Sequence, residues 1–149
     1  MYKFTTESEE ETRQLSESLG QLLIEGDVLT LDGDLGAGKT TFTKGLAKGL
    51  GVKRTVNSPT YTIIKEYRGD KKLFHMDVYR LEDSDEDIGF DEYFYGDGIT
   101  VVEWSTFIKD FLPEERLEIR VEKVDEQSRV FHFEPKGNRM IRVCEELQG

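Results

Sequence analysis

Apolar and polar positions change period several times along the chain, and each change marks an expected element. Leu15, Leu19, Leu22 and Leu23 recur at helical spacing, so a helix is expected from Ser8 onward. Ser8 or Thr6 would be its N-cap, glutamates crowd its positive end, and Gly26 would stop it. Residues 27–31 then form a short apolar, β-rich run. Phe42, Leu46 and Leu50 return every fourth residue, which predicts a helix over 39–50 closed by Gly51.

Strand periods dominate thereafter. Residues 61–67 alternate in polarity, 68–71 read as a turn, and 72–79 read as the returning strand of a hairpin. The run 99–102 is the most strand-like of the second half and ends in Glu103-Trp104. Residues 105–112 look helical up to Pro113. Leu117, Ile119 and Val121 alternate with Glu118, Arg120 and Glu122, and 130–133 pair back across a turn at 127–128. Residues 2–5 suit a short edge strand, and 139–147 suit a last helix. The acidic stretch 82–92 reads as a short helix or loop with an aromatic anchor; calcium binding is disfavoured because EF-hand spacing is absent. The expectation is one α/β domain over 1–149, with a mixed sheet, a parallel core and antiparallel hairpins flanked by helices.

Composition narrows the function. With 31 acidic and 20 basic residues among 149, net charge −11, the chain lacks the basic balance of a protein that grips nucleic acid alone. Lys39, Lys44, Lys48, Lys53 and Arg54 cluster around one helix, most simply as a solvated face. The start of the chain lacks the apolar core of a signal peptide, and no apolar run approaches the ~18 residues of a membrane span. Cys144 is the single cysteine, so no internal disulfide is possible. A cytoplasmic protein without membrane association is expected.

The chemistry centres on Gly33-Asp34-Leu35-Gly36-Ala37-Gly38-Lys39-Thr40, followed by Thr41, which satisfies the phosphate-loop pattern G-x-x-x-x-G-K-[ST]. The glycines let backbone N–H groups approach phosphate oxygens, Lys39 brings charge to the β/γ-phosphates, and the Thr40 hydroxyl suits Mg²⁺. Strand, loop and helix fall in the required order. Hydrolysis needs more: an acid for the metal and a group to place water. Two strand-end carboxylates compete, Asp77 after 73–76 and Glu103 after 99–102, and either has the alternative of an exposed acid without function. Thr60, in a polar segment broken by Pro59, stands where switch-type nucleotidases place a γ-phosphate sensor. No Asn-Lys-x-Asp-like segment for guanine is present, which argues against a GTPase. Trp104 is as readily core as a face for a base or partner. His75 and His132 favour ordinary structural roles, with a supporting role beside Asp77 open to His75.

Four ordered segments, Gly33–Thr41, Ser58-Pro-Thr-Tyr61, His75-Met-Asp-Val-Tyr-Arg80 and Val102-Glu-Trp104, resemble the motifs of the bacterial TsaE (YjeE) ATPases. The resemblance covers residues 33 to 104; the C-terminal third matches only in general character. It implies a P-loop nucleoside triphosphate hydrolase fold and a weak, Mg²⁺-dependent, partner-stimulated ATPase. That ATPase would be an accessory of threonylcarbamoyladenosine formation on tRNA, beside the anticodon. Family members work with TsaD and TsaB, so tRNA would be met only through those partners. The resemblance further implies that Lys39 holds the β/γ-phosphates of ATP or ADP, that Thr40 and Glu103 ligate Mg²⁺, and that Thr60 senses the γ-phosphate. Asp77 would serve hydrolysis and Trp104 would lie beside the nucleotide. Ser105 departs from the family, many members having Pro there. The resemblance would also bring the turn at Ser128-Arg129 and the 6–9 segment to the adenine side, although no motif fixes this. A small-molecule kinase and a nucleotide-gated binding module with negligible hydrolysis are the alternatives; scattered arginines with no adjacent pair argue against a kinase lid.

Overall fold

The computed structural model describes residues 1–33, 37–53, 64–78 and 89–149. In chain order its elements are β1 (Tyr2–Thr6), α1 (Glu9–Leu22), β2 (Val28–Gly33), α2 (Lys39–Gly49), β3 (Ile64–Tyr67) and β4 (Lys72–Asp77). There follow α3 (Phe90–Phe94), β5 (Gly98–Glu103), a 3₁₀ stretch (Ser105–Phe111), β6 (Arg116–Lys123), β7 (Arg129–Lys136) and α4 (Asn138–Gln148). Among the described residues seven strands share one sheet in the order β1-β7-β6-β2-β5-β4-β3.

The expected mixed sheet is present. β4, β5, β2 and β6 run parallel, and the β3–β4 and β6–β7 hairpins join them antiparallel. Every residue of β5 is buried, as a central strand covered on both faces requires. On one face α2 presents Phe42, Leu46 and Leu50 to Leu29, Leu31, Val101 and Ile119, together with Leu19 and Leu23 from the α1 region. On the other, Phe90, Phe94 and Ile108 pack on Val28, Met76 and Val102. The two faces follow from period two along each strand: 73, 75 and 77 face α2, while 74, 76 and 78 face away.

α1 begins where its sequence indicates. The Ser8 hydroxyl oxygen accepts the Glu11 N–H at 3.1 Å, and Glu9, Glu10 and Glu11 occupy the first turn. Its far end is tied down by Asp27, whose carboxylate accepts two hydrogen bonds from Arg139 of α4, at 3.0 and 2.7 Å. This fork holds the Arg139 guanidinium above its usual pKa, the hydrogen bond to Asp27 contributing most.

Several boundaries move. β2 extends to Gly33, the first residue of the glycine-rich 33–40 segment, because β6 pairs with it through Val121. β7 runs to Lys136 and includes Pro135, which no single-strand rule favours. β1 pairs with β7 only as far as Phe133, so one edge is open at Pro135 and no ladder hydrogen bond is lost there. The stretch after Trp104 is 3₁₀ rather than α, and Ile108 (φ −127°, ψ 29°) breaks it. Residues 61–63, 79 and 82–88 of the expected strands and acidic segment lie outside the described residues. No helix among the described residues is long and apolar enough to cross a membrane.

Candidate functional site

Parallel register brings the chemistry-bearing residues to one edge. β2, β5 and β4 lie side by side, with Leu31 opposite Glu103 and Glu103 opposite Asp77, so all three strands end together. In open α/β sheets ligands bind in the crevice outside these carboxyl ends. α2 starts there, directly after the loop.

Two glycines are required by geometry. A Cβ on Gly33 would fall 2.6 Å from Val121 Cγ1 and 2.7 Å from the Val121 carbonyl oxygen. Gly38, at φ 107° and ψ 16°, occupies a conformation that L side chains rarely adopt. The start of α2 differs from that of α1: it has no side-chain cap and no acid in its first turn. Its first N–H groups and positive dipole end are therefore not neutralised by the helix itself, which suits an external anion.

Lys39, the first residue of α2, is 7% exposed. Its Nζ lies 3.7 Å from Glu103 Oε1 and 4.6 Å from the centroid of the Trp104 ring. Lys39 is thus no member of a solvated basic face, whereas Lys44, Lys48 and Lys53 are exposed as expected. Glu103 is only 6% exposed, which sets aside the alternative of a bare surface acid. Trp104 reaches Lys39 because its backbone is left-handed (φ 62°, ψ 39°), turning the chain sharply at the end of β5. It is the one non-glycine residue with positive φ among those described, and such conformations cluster at binding sites. Asp77 is half-buried beside Glu103, and the Val78 N–H donates to the Glu103 carbonyl at 3.2 Å.

Three contacts were not legible from motif spacing. Glu103 Oε2 is 2.6 Å from His75 Nε2. The partner of His75 is therefore Glu103 rather than Asp77. Arg129 donates from Nε to the Ala37 carbonyl at 2.8 Å, tying the β6–β7 turn to the phosphate loop. That turn is itself ordered by Asp125, which accepts the Ser128 and Gln127 N–H groups at 2.8 and 2.9 Å. These bonds, Ser128 first, hold the Asp125 carboxyl below its usual pKa. Finally, Ser105 donates its N–H and hydroxyl to Asp32, at 3.0 and 2.6 Å. A proline there would lack the first donor, so the departure at Ser105 comes with its own local anchor.

A cavity of about 610 Å³ opens beside Lys39 and Trp104 and continues over Asp32, Ser105 and Arg120. Its size is that of a small-molecule site. Among the described residues no group of three or more His, Cys, Asp or Glu side chains could hold a metal ion. Among the described residues a protein cage is lacking; one carboxylate (Glu103) and one hydroxyl (Thr40) form a sparse oxygen set of the kind a hard divalent cation completes with other oxygen ligands. Gly33, Ala37, Gly38, Lys39, Glu103, Trp104 and Asp77 gather at this edge, with Thr40 and Thr41 in the first turn of α2. Asp34, Leu35, Gly36 and Thr60 lie outside the described residues.

Comparison with known proteins gives a consistent picture. The family model described as "Threonylcarbamoyl adenosine biosynthesis protein TsaE" matches residues 6–131. A Bacillus subtilis protein named tRNA threonylcarbamoyladenosine biosynthesis protein TsaE is 53% identical over 146 residues, covering 97% of this chain and 92% of its own. A Treponema pallidum protein of the same name is 41% identical over 139 residues, covering 92% and 96%. The crystal structure of Bacillus subtilis YdiB superposes with a TM-score of 0.87 at 47% identity, covering 99% of this chain and 93% of that one.

Proposed function

The chain belongs to the TsaE family of threonylcarbamoyl adenosine biosynthesis proteins, and from that premise we propose that it is a P-loop ATPase serving tRNA threonylcarbamoyladenosine formation. The proposal is of one ATPase domain over 1–149, cytoplasmic, weakly active alone and stimulated by a TsaD–TsaB complex. The observation that carries it is the meeting of Lys39, Glu103 and Trp104 in front of a helix start that carries no cap and no acid.

The residues divide the work as follows. The loop 33–38 and the first N–H groups of α2 cradle the phosphates of ATP or ADP, and Lys39 adds charge at the β/γ position. Arg129 holds the Ala37 carbonyl toward β7, away from the anion the loop would cradle. Thr40 and Glu103 would hold Mg²⁺, which when bound supplies charge to the phosphate oxygens. Trp104 shields the Lys39 ammonium from water and walls the site. Asp77 accepts from, and so orients, the attacking water, with Thr60 as the γ-phosphate sensor. Transfer chemistry belongs to the partners, and the acidic balance of −11 supports leaving RNA to them.

The test is ATP turnover by the purified protein, with and without TsaD–TsaB. Stimulation of about tenfold or more by the partners is expected, the scale of a coupling of 1–3 kcal/mol. Fast turnover indifferent to them would contradict the accessory role. No turnover in either case would favour a nucleotide-gated binding module, and phosphoryl transfer to a small acceptor would favour a kinase.

A further inference from the structure

We propose that His75 is a positioning residue that fixes the Glu103 carboxylate, so that Oε1 alone faces the phosphate site. The inference rests on the reading of Glu103 as the metal-binding acid.

The geometry divides the two oxygens of Glu103. Oε2 is 2.6 Å from His75 Nε2, and Oε1 is 3.7 Å from Lys39 Nζ. A carboxylate on a strand end has free torsions about its side chain; a hydrogen bond this short removes that freedom and chooses which oxygen points outward. The strand register puts the contact within reach. His75 lies opposite Val101 and Asp77 opposite Glu103, so period two along both parallel strands places 75, 77, 101 and 103 on the face toward α2.

A role in packing alone does not account for this histidine. Its side chain is fully buried; on that face it lies beside the apolar Leu73 and Val101, with Lys65 opposite it on β3 and Asp77 two residues on. An aliphatic residue would fill the position without burying a polar atom. The fold instead retains an Nδ1 with no hydrogen-bond partner among the described residues. That imbalance places the ring's one satisfied bond at Glu103, with the proton on Nε2 as donor. Buried polar groups that hold metal-ligating side chains commonly have this character, and their loss typically weakens metal affinity by about 10–100-fold.

The experiment is calorimetric titration of the full chain with AMP-PNP, in Mg²⁺ and in EDTA, for wild type, His75→Leu, His75→Asn, His75→Gln and Glu103→Gln. Gln carries its amide nitrogen near the place of Nε2, whereas Asn reaches only the place of Nδ1. Wild type should bind more tightly with Mg²⁺. His75→Leu and His75→Asn should lose about 10–100-fold of that enhancement while EDTA affinity stays within about twofold, and His75→Gln should regain most of it. Three outcomes would overturn the role of His75: full enhancement in His75→Leu, equal loss in His75→Gln and His75→Asn, or a parallel fall in both buffers with lowered Tm in all three. If Glu103→Gln keeps the full enhancement, or wild type shows none, the reading of Glu103 fails instead.

Discussion

Lys39→Ala should lower ATP affinity by at least about 100-fold, the largest effect on binding expected of any single substitution here. Two terms act together. The first is the lost charge at the β/γ-phosphates, in a site where Lys39 is 7% exposed and poorly screened. The second is the carboxylate left behind. Glu103 is 6% exposed, and among the described residues its side chain keeps the His75 contact once the ammonium 3.7 Å away is gone. Its negative charge would then lack the ammonium that offsets it beside the phosphates, and removing one partner of a buried pair costs about 3–5 kcal/mol. The single Trp104, 4.6 Å from Nζ, is a built-in reporter: its emission should respond to ATP in wild type and be unresponsive in the variant. Affinity retained to within about threefold would remove Lys39 from the phosphate site.

Asp77→Ala should behave in the opposite way, leaving ATP affinity nearly intact and lowering hydrolysis by about 100-fold or more, the usual scale for a general base or water-positioning group. Its place argues for this separation. Asp77 ends β4 level with Glu103 on β5, yet the ion pair with Lys39 belongs to Glu103. The backbone beneath it is secured independently by the bond from the Val78 N–H to the Glu103 carbonyl, so truncating the side chain should not disturb Glu103. Single-turnover hydrolysis alongside equilibrium binding separates the two quantities. Loss of binding as deep as that of Lys39→Ala would make Asp77 a ligand-holding residue; unchanged turnover would remove it from the chemistry.

Local signals carried most of the fold. The Ser8 cap, the Phe42/Leu46/Leu50 stripe and the alternation over 117–121 each encode one element by its own period, and each appears where that period places it. Tertiary pairing decided the rest. Pro135 sits in β7 because β1 ends before reaching it, a fact held by another strand. The 3₁₀ stretch follows from the left-handed turn at Trp104 and the anchoring of Ser105 by Asp32, 73 positions away in sequence. The site shows the same division. The phosphate loop is a contiguous pattern and announces itself. Asp77 and Glu103 looked like competitors because strand order was unknown, and the parallel register makes them neighbours. His75 carried a weak signal, since it shares strand parity with Asp77. Arg129 was suggested only through the resemblance, because its contact with Ala37 spans 92 positions and the sheet order brings it close.

We infer that the loop at 33–41, by its nucleotide state, governs association with a TsaD–TsaB complex rather than acting on tRNA itself. Co-purification of the intact protein with TsaD–TsaB in ATP, ADP and nucleotide-free buffers tests it most directly. Retention is expected to depend on the nucleotide, differing by about tenfold between states, and to lose that dependence in Lys39→Ala. Equal retention in all three buffers, or none in any, would contradict it.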